Sequence, residues 1–131
     1  MDKKAKFSIH SGFNIWPVES VARRPQILLS QWRMYEVSFE NSDEVSCHLV
    51  GRPDEQPSGR VSSPIVSIDP ATRCCVSQSG RAYFVVGTPG SCSDARYVWH
   101  AWKTLCLVKT ERDLSMDLES LFEQTQKHST Q

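Results

Sequence analysis

Five cysteines and four histidines are the residues of this 131-residue chain best suited to chemistry. Cys47-His48, Cys74-Cys75, Cys92 and Cys106 carry donor atoms that suit zinc. Structural zinc sites, however, pair ligands roughly two to four residues apart, so that both reach one ion from a tight knuckle. No C-x-x-C occurs here. Adjacent residues such as Cys74 and Cys75 point to opposite faces of a strand. The spacing therefore predicts no metal site and no cofactor, and the thiols read as small core hydrophobes.

Nucleophilic chemistry has one candidate. Cys92 follows a Gly/Ser-rich loop and precedes a predicted helix start, where a thiolate would be stabilised. Paired in space with His100 or His48, it would give a Cys/His-dependent enzyme. That is the second alternative to the preferred reading. No G-x-S-x-G elbow is present, and His100 reads as a packed or surface histidine inside a helix. No catalytic residue is assigned. Gly87-Thr88-Pro89-Gly90-Ser91 also precedes that helix, but it matches neither phosphate-binding glycine motif, and Pro89 removes one N–H from any anion nest. It reads as a rigid exposed connection.

Arginines and aromatics are the remaining candidates. Arg60, Arg73, Arg81 and Arg96, with Tyr83, Phe84 and Tyr97, are the ingredients of a single-strand-binding sheet face, where bases stack on rings and phosphates meet guanidinium groups. The 15 basic and 15 acidic residues cancel, which argues against strong non-specific nucleic-acid binding. Arg, Tyr and Trp are also the usual anchors of protein interfaces. The preferred reading is a non-catalytic binding protein that docks on and blocks or modulates a macromolecular partner. Its expected contacts are Arg60, Arg73, Arg81, Arg96, Thr88 and Pro89. A protein partner is expected first and a nucleic acid second.

Charge is uneven along the chain. Residues 58–109 carry six bases against two acids, whereas residues 110–131 carry two bases against five acids. The acidic end is expected to neutralise the basic sheet within the molecule. The odd number of cysteines, the charged start without an apolar signal core, and the lack of any run long enough to span a bilayer predict a cytoplasmic protein with reduced thiols and no membrane partner.

These residues need a scaffold to place them. Residues 7–16 alternate around Gly12 as a bent strand, and residues 19–24 form a short turn or helix before Pro25. Ile27-Leu28-Leu29 begins another strand. Tyr35, Val37 and Phe39 share one face opposite Glu36, Ser38 and Glu40, as in a half-buried strand. Residues 41–44 carry turn chemistry, and Val45, Cys47 and Leu49 alternate to complete a hairpin. Residues 51–59 read as a polar surface loop. Residues 61–68 form a strand with Pro64 at an edge or bulge. A turn at residues 69–72 and another at Ser79-Gly80 then make a three-stranded meander.

Ser58-Gly59-Arg60 and Ser79-Gly80-Arg81 read as one turn solution used twice, with Gly supplying a positive φ and Arg keeping its head in water. Ser93 is the expected N-cap of a helix whose Ala95, Val98, Trp99 and Trp102 share a face, with Cys106 a turn further on. Leu114, Leu118, Leu121 and Phe122 stripe a last helix capped by Asp113 or Ser115. That stripe packs on its own sheet or, alternatively, buries itself in a second subunit, making a homodimer, or in a groove on a partner.

The stretch Gly59-Arg-Val-Ser-Ser-Pro-Ile-Val66, with Ser79-Gly-Arg-Ala-Tyr83, Gly87-Thr-Pro-Gly90 and Asp94-Ala-Arg-Tyr-Val-Trp99 followed by Trp102, resembles small uncharacterised bacterial proteins of phage and mobile-element type. The resemblance covers about the middle third of the chain, and no site residue is carried over from it. It implies a context in which small proteins cover a host protein surface, as anti-CRISPR proteins do.

The expected fold is α+β. A single domain over residues 1–131 holds a twisted antiparallel meander sheet of about five to seven strands, packed against one or two helices. Residues 1–6 and 124–131 are expected to fray. Trp99 and Trp102 are expected to be buried against the sheet.

Overall fold

A computed structural model describes residues 25–54 and 56–129. The expected strand at residues 7–16, the turn or helix at residues 19–24 and the N-terminal end lie outside the described residues. Among these residues seven strands and two helices follow in chain order. They are β1 (Gln26–Phe39), β2 (Ser42–Pro53), β3 (Arg60–Val61), β4 (Ile65–Asp69), β5 (Cys74–Ser77), β6 (Ala82–Val85), α1 (Ser93–Leu105), β7 (Val108–Asp113) and α2 (Ser115–Ser129). The sheet runs β3-β2-β1-β6-β5-β4, with β7 pairing to β1. This is the expected α+β architecture, with one departure. β1 and β6 run parallel, so the sheet is mixed rather than wholly antiparallel.

β1 organises the molecule through one irregularity. Against β2, Ser30 pairs with Arg52 and Arg33 with Val50, so β1 holds one extra residue between them. Gln31 sits there with φ +49°. A bulge of this kind moves every later side chain to the opposite face. Before it, Ile27 and Leu29 enter one core; after it, Trp32 and Met34 enter that same core. Val37 and Phe39, in the other phase, enter a second core with Val50, Trp99 and Trp102. Hairpin partners Leu49 and Val50 also divide between the two cores. The sheet is thus buried on both faces.

Helix α1 closes the second core. Trp99 stacks on Tyr35 with centroids 4.6 Å apart and on Trp102 at 5.3 Å. Trp102 also meets Phe39 edge-on and lies 4.5 Å from the His48 ring. Both tryptophans are buried, as the helical spacing predicts. Helix α2 closes the first core with Leu118 and Phe122. Leu114, Leu118 and Phe122 of the apolar stripe therefore pack on their own sheet while Leu121 is exposed, and the helix continues past Gln124 to Ser129.

Several local expectations are corrected. Residues 51–53 belong to β2, where Gly51 and Pro53 are buried, so the loop begins only at Asp54. The expected strand at residues 61–68 is two strands, because Ser62–Pro64 breaks away: β3 pairs with β2, and β4 with β5. The helix cap is Cys92, whose Sγ accepts from the Ala95 N–H at 3.4 Å, one residue before Ser93. The two Ser-Gly-Arg copies are not one turn solution. Gly80 has φ +96° and open space around it, whereas Gly59 has no positive φ and lies against the backbone of Asp94 and Ala95.

Candidate functional site: a cleft beside the β1 bulge

The bulge leaves a gap along one edge of β1. β6 pairs with Gln26–Leu29, and β7 pairs with Tyr35–Phe39 on the same edge. The 86–90 loop bridges the interval. Val86 N–H donates to the Leu29 carbonyl and Gly90 N–H to the Trp32 carbonyl. Trp32 Nε1 in turn donates to the Gly87 carbonyl at 3.0 Å. Where the loop turns into α1, a cleft of about 360 Å³ opens, lined by Gln31, Arg33, Tyr35, Val50, Ser91, Ala95, Arg96, Trp99 and Asp113. A volume of a few hundred cubic ångströms is at the small end of ligand sites.

Polar groups in the cleft are held in place. Arg33 Nε donates to the Gly90 carbonyl at 3.1 Å, and its Nη1 pairs with Asp113 Oδ2 at 2.8 Å. Asp113 also accepts from the Ser115 N–H and hydroxyl at the start of α2. Partial burial pushes the Asp113 carboxyl up, but the Ser115 bonds and the Arg33 guanidinium outweigh it and hold the pKa below the usual 3.8. Arg96 Nη1 donates to Ser91 Oγ at 2.6 Å. The Tyr35 hydroxyl is pushed above its ordinary pKa, first by burial and then by the nearby Asp113 charge.

Trp99 is 5% exposed, and its Nε1 has no hydrogen-bond partner among the described residues. Indole N–H is a donor only. Leaving such a group buried and unpaired costs about 1–3 kcal/mol.

The expected contact residues divide sharply. Arg96 is exposed beside the cleft, Thr88 is exposed and Pro89 half-buried in the adjoining loop. Arg60 and Arg81, expected to hold their heads in water, are only 4% and 5% exposed. Arg60 Nε donates to the buried Tyr83 hydroxyl at 3.1 Å, which makes it a tie between β3 and β6. Arg73 is also withdrawn. Its Nη2 reaches Glu119 and the Gly87 carbonyl, its Nε reaches the Val85 carbonyl, and its guanidinium lies 4.7 Å over Phe122. The basic residues of the sheet therefore serve its interior and its acidic C-terminal end. The Arg/aromatic face imagined for nucleic acid is not assembled, since Tyr83 is buried and Phe84 half-buried while Tyr97 stands exposed on α1.

The Cys/His pairing is not assembled from Cys92 and His100. Eight residues of one helix separate them, about 12 Å of rise. His48 is buried, with Nε2 against Ser46 Oγ and Nδ1 against the Ser62 carbonyl oxygen. None of the five cysteines is in a disulfide. Burial raises the Cys75 thiol to about 12 and that of Cys106 to about 11, and pushes up Cys47 and Cys74 as well. Among the described residues no group of three His, Cys, Asp or Glu side chains could hold a metal ion. No helix among them is long and apolar enough to cross a membrane.

Gln31, Arg33, Tyr35, Ser91 and Asp113 line the cleft but carry no recognisable motif. One signal was present: the apolar phase slips between Leu29 and Trp32, which marks a bulge. Comparison with family models, curated proteins and solved structures finds no match to this chain.

Proposed function

We propose that this protein is a small binding protein that docks on a macromolecular partner, a protein, and blocks or modulates it by covering part of its surface. The cleft carries the reading. Arg33, held by Gly90 and Asp113, and exposed Arg96 line it beside the 87–90 loop, so a partner would meet a chemically defined notch. Among the described residues that line the cleft, no nucleophile is paired with a base. The resemblance to mobile-element proteins supports an inhibitor of the anti-CRISPR kind, acting in the cytoplasm.

A nucleic-acid partner is the second reading, and exposed Arg96 and Tyr97 favour it. Capture from a bacterial lysate with the wild-type protein and Arg96→Glu separates the two. The docking reading predicts a protein retained by the wild type and lost with Arg96→Glu. Labelled single-stranded DNA or RNA binding with a steep salt slope, and no Arg96-dependent protein, would replace it.

A further inference from the structure

The lining of the cleft is rich in donors and carries Arg33 and Arg96 against Asp113, a net charge of plus one. We propose that it seats a single carboxylate, the side chain of an aspartate or glutamate within an acidic segment of the partner protein. This deepens the docking reading and rests on it.

Three observations select a carboxylate. Arg96 is exposed, gives one nitrogen to Ser91 and makes no ion pair among the described residues, so the rest of its planar donor fork is unpaired among them. Such a fork matches the two oxygens of a carboxylate. Arg33 is held by the Gly90 carbonyl and by Asp113, which fixes a second guanidinium in the lining. Trp99, also in the lining, has an indole N–H without an acceptor.

The alternatives fit less well. A phosphate dianion would exceed the net charge of the lining and face Asp113, whose depressed pKa keeps it ionised at neutral pH. A nucleobase would need an open ring face, but Trp99 is stacked on both Tyr35 and Trp102 and is almost fully buried.

The test uses small probes and the indole N–H resonance of Trp99, assigned by its loss in Trp99→Phe. N-acetyl-glutamate amide is expected to shift that resonance saturably. N-acetyl-glutamine amide should leave it unmoved, and Arg96→Ala, an exposed and structurally mild change, should weaken the glutamate response by about tenfold or more. The proposal is overturned by a silent indole across the glutamate titration, by an undiminished response in Arg96→Ala, or by tighter binding of N-acetyl-phosphoserine amide. The probes need no partner, so the two readings fail separately. A silent titration beside Arg96-dependent capture removes the carboxylate and leaves docking. A saturable titration without any captured protein does the reverse.

Discussion

Gly59 lies directly against Ala95: a β-carbon on Gly59 would stand 2.5 Å from the Ala95 Cα and 2.8 Å from its backbone nitrogen. The glycine is there for the closeness of two backbones. It sets how near α1 approaches the end of β2 and β3, and hence where Ala95 and Arg96 meet the cleft.

Gly59→Ala is therefore expected to push α1 outward and cost about 1–3 kcal/mol in denaturant unfolding. Gly80→Ala meets nothing within 4 Å, and its cost, about 1 kcal/mol, comes from the positive φ alone. The two are distinguished by the Trp99 indole environment, which should change in Gly59→Ala and stay native in Gly80→Ala.

Asp113 predicts a pH dependence. Its folded pKa lies below the ordinary value of 3.8, so its contribution to stability is complete above that value and is lost as pH falls through the folded one. Asp113→Ala should cost about 1–2 kcal/mol at pH 7, since the pair with Arg33 is partly exposed and the remainder is a helix-start bond. The gap between variant and wild type should shrink on acidification below pH 4 in unfolding titrations. A gap that stays constant there would contradict the assignment.

Arg73 and Glu119 tie α2 to the sheet with side chains only 18% and 7% exposed. Removing one partner strands the other charge in a poorly hydrated place. Arg73→Ala should cost about 3 kcal/mol. Arg73→Met with Glu119→Leu should recover much of that loss, because the apolar pair leaves no buried charge. Thermal unfolding of the two variants makes the comparison.

Thiol labelling should be selective. Cys75 and Cys106 are buried with strongly raised pKa values, and Cys74 is buried with its thiol pushed up. At pH 8 in the native state, an Ellman titration is expected to leave these three silent. Cys92, half-buried at the helix cap and near the loop, should react first. Fast reaction of Cys75 would show that the first core opens readily.

Local pattern carried much of the fold. The alternation of Tyr35, Val37 and Phe39 and the spacing of Ala95, Trp99 and Trp102 report faces that are buried whatever the distant chain does, and both were readable. The arginines misled for a physical reason. A charged side chain is read as solvated by default, and only its remote partners, Tyr83 for Arg60 and Glu119 for Arg73, make burial tolerable. The cleft was hidden for the same reason. Arg33 meets Gly90 and Asp113 across 57 and 80 residues of sequence, and no local period encodes that meeting. Its one local trace is the slipped phase at Gln31, whose φ of +49° also predicts that Gln31→Val will be far less tolerated than Gln31→Gly.

The central claim is that a partner protein is met at the cleft beside the β1 bulge. Photo-crosslinking from a benzoylphenylalanine placed at Thr88, in the exposed loop next to the cleft, tests it most directly. Met116, exposed on α2, serves as the control position. The account predicts a discrete protein crosslinked from position 88 in a bacterial lysate and none from position 116. Crosslinks from position 116 alone, or the same products from both positions, would contradict it.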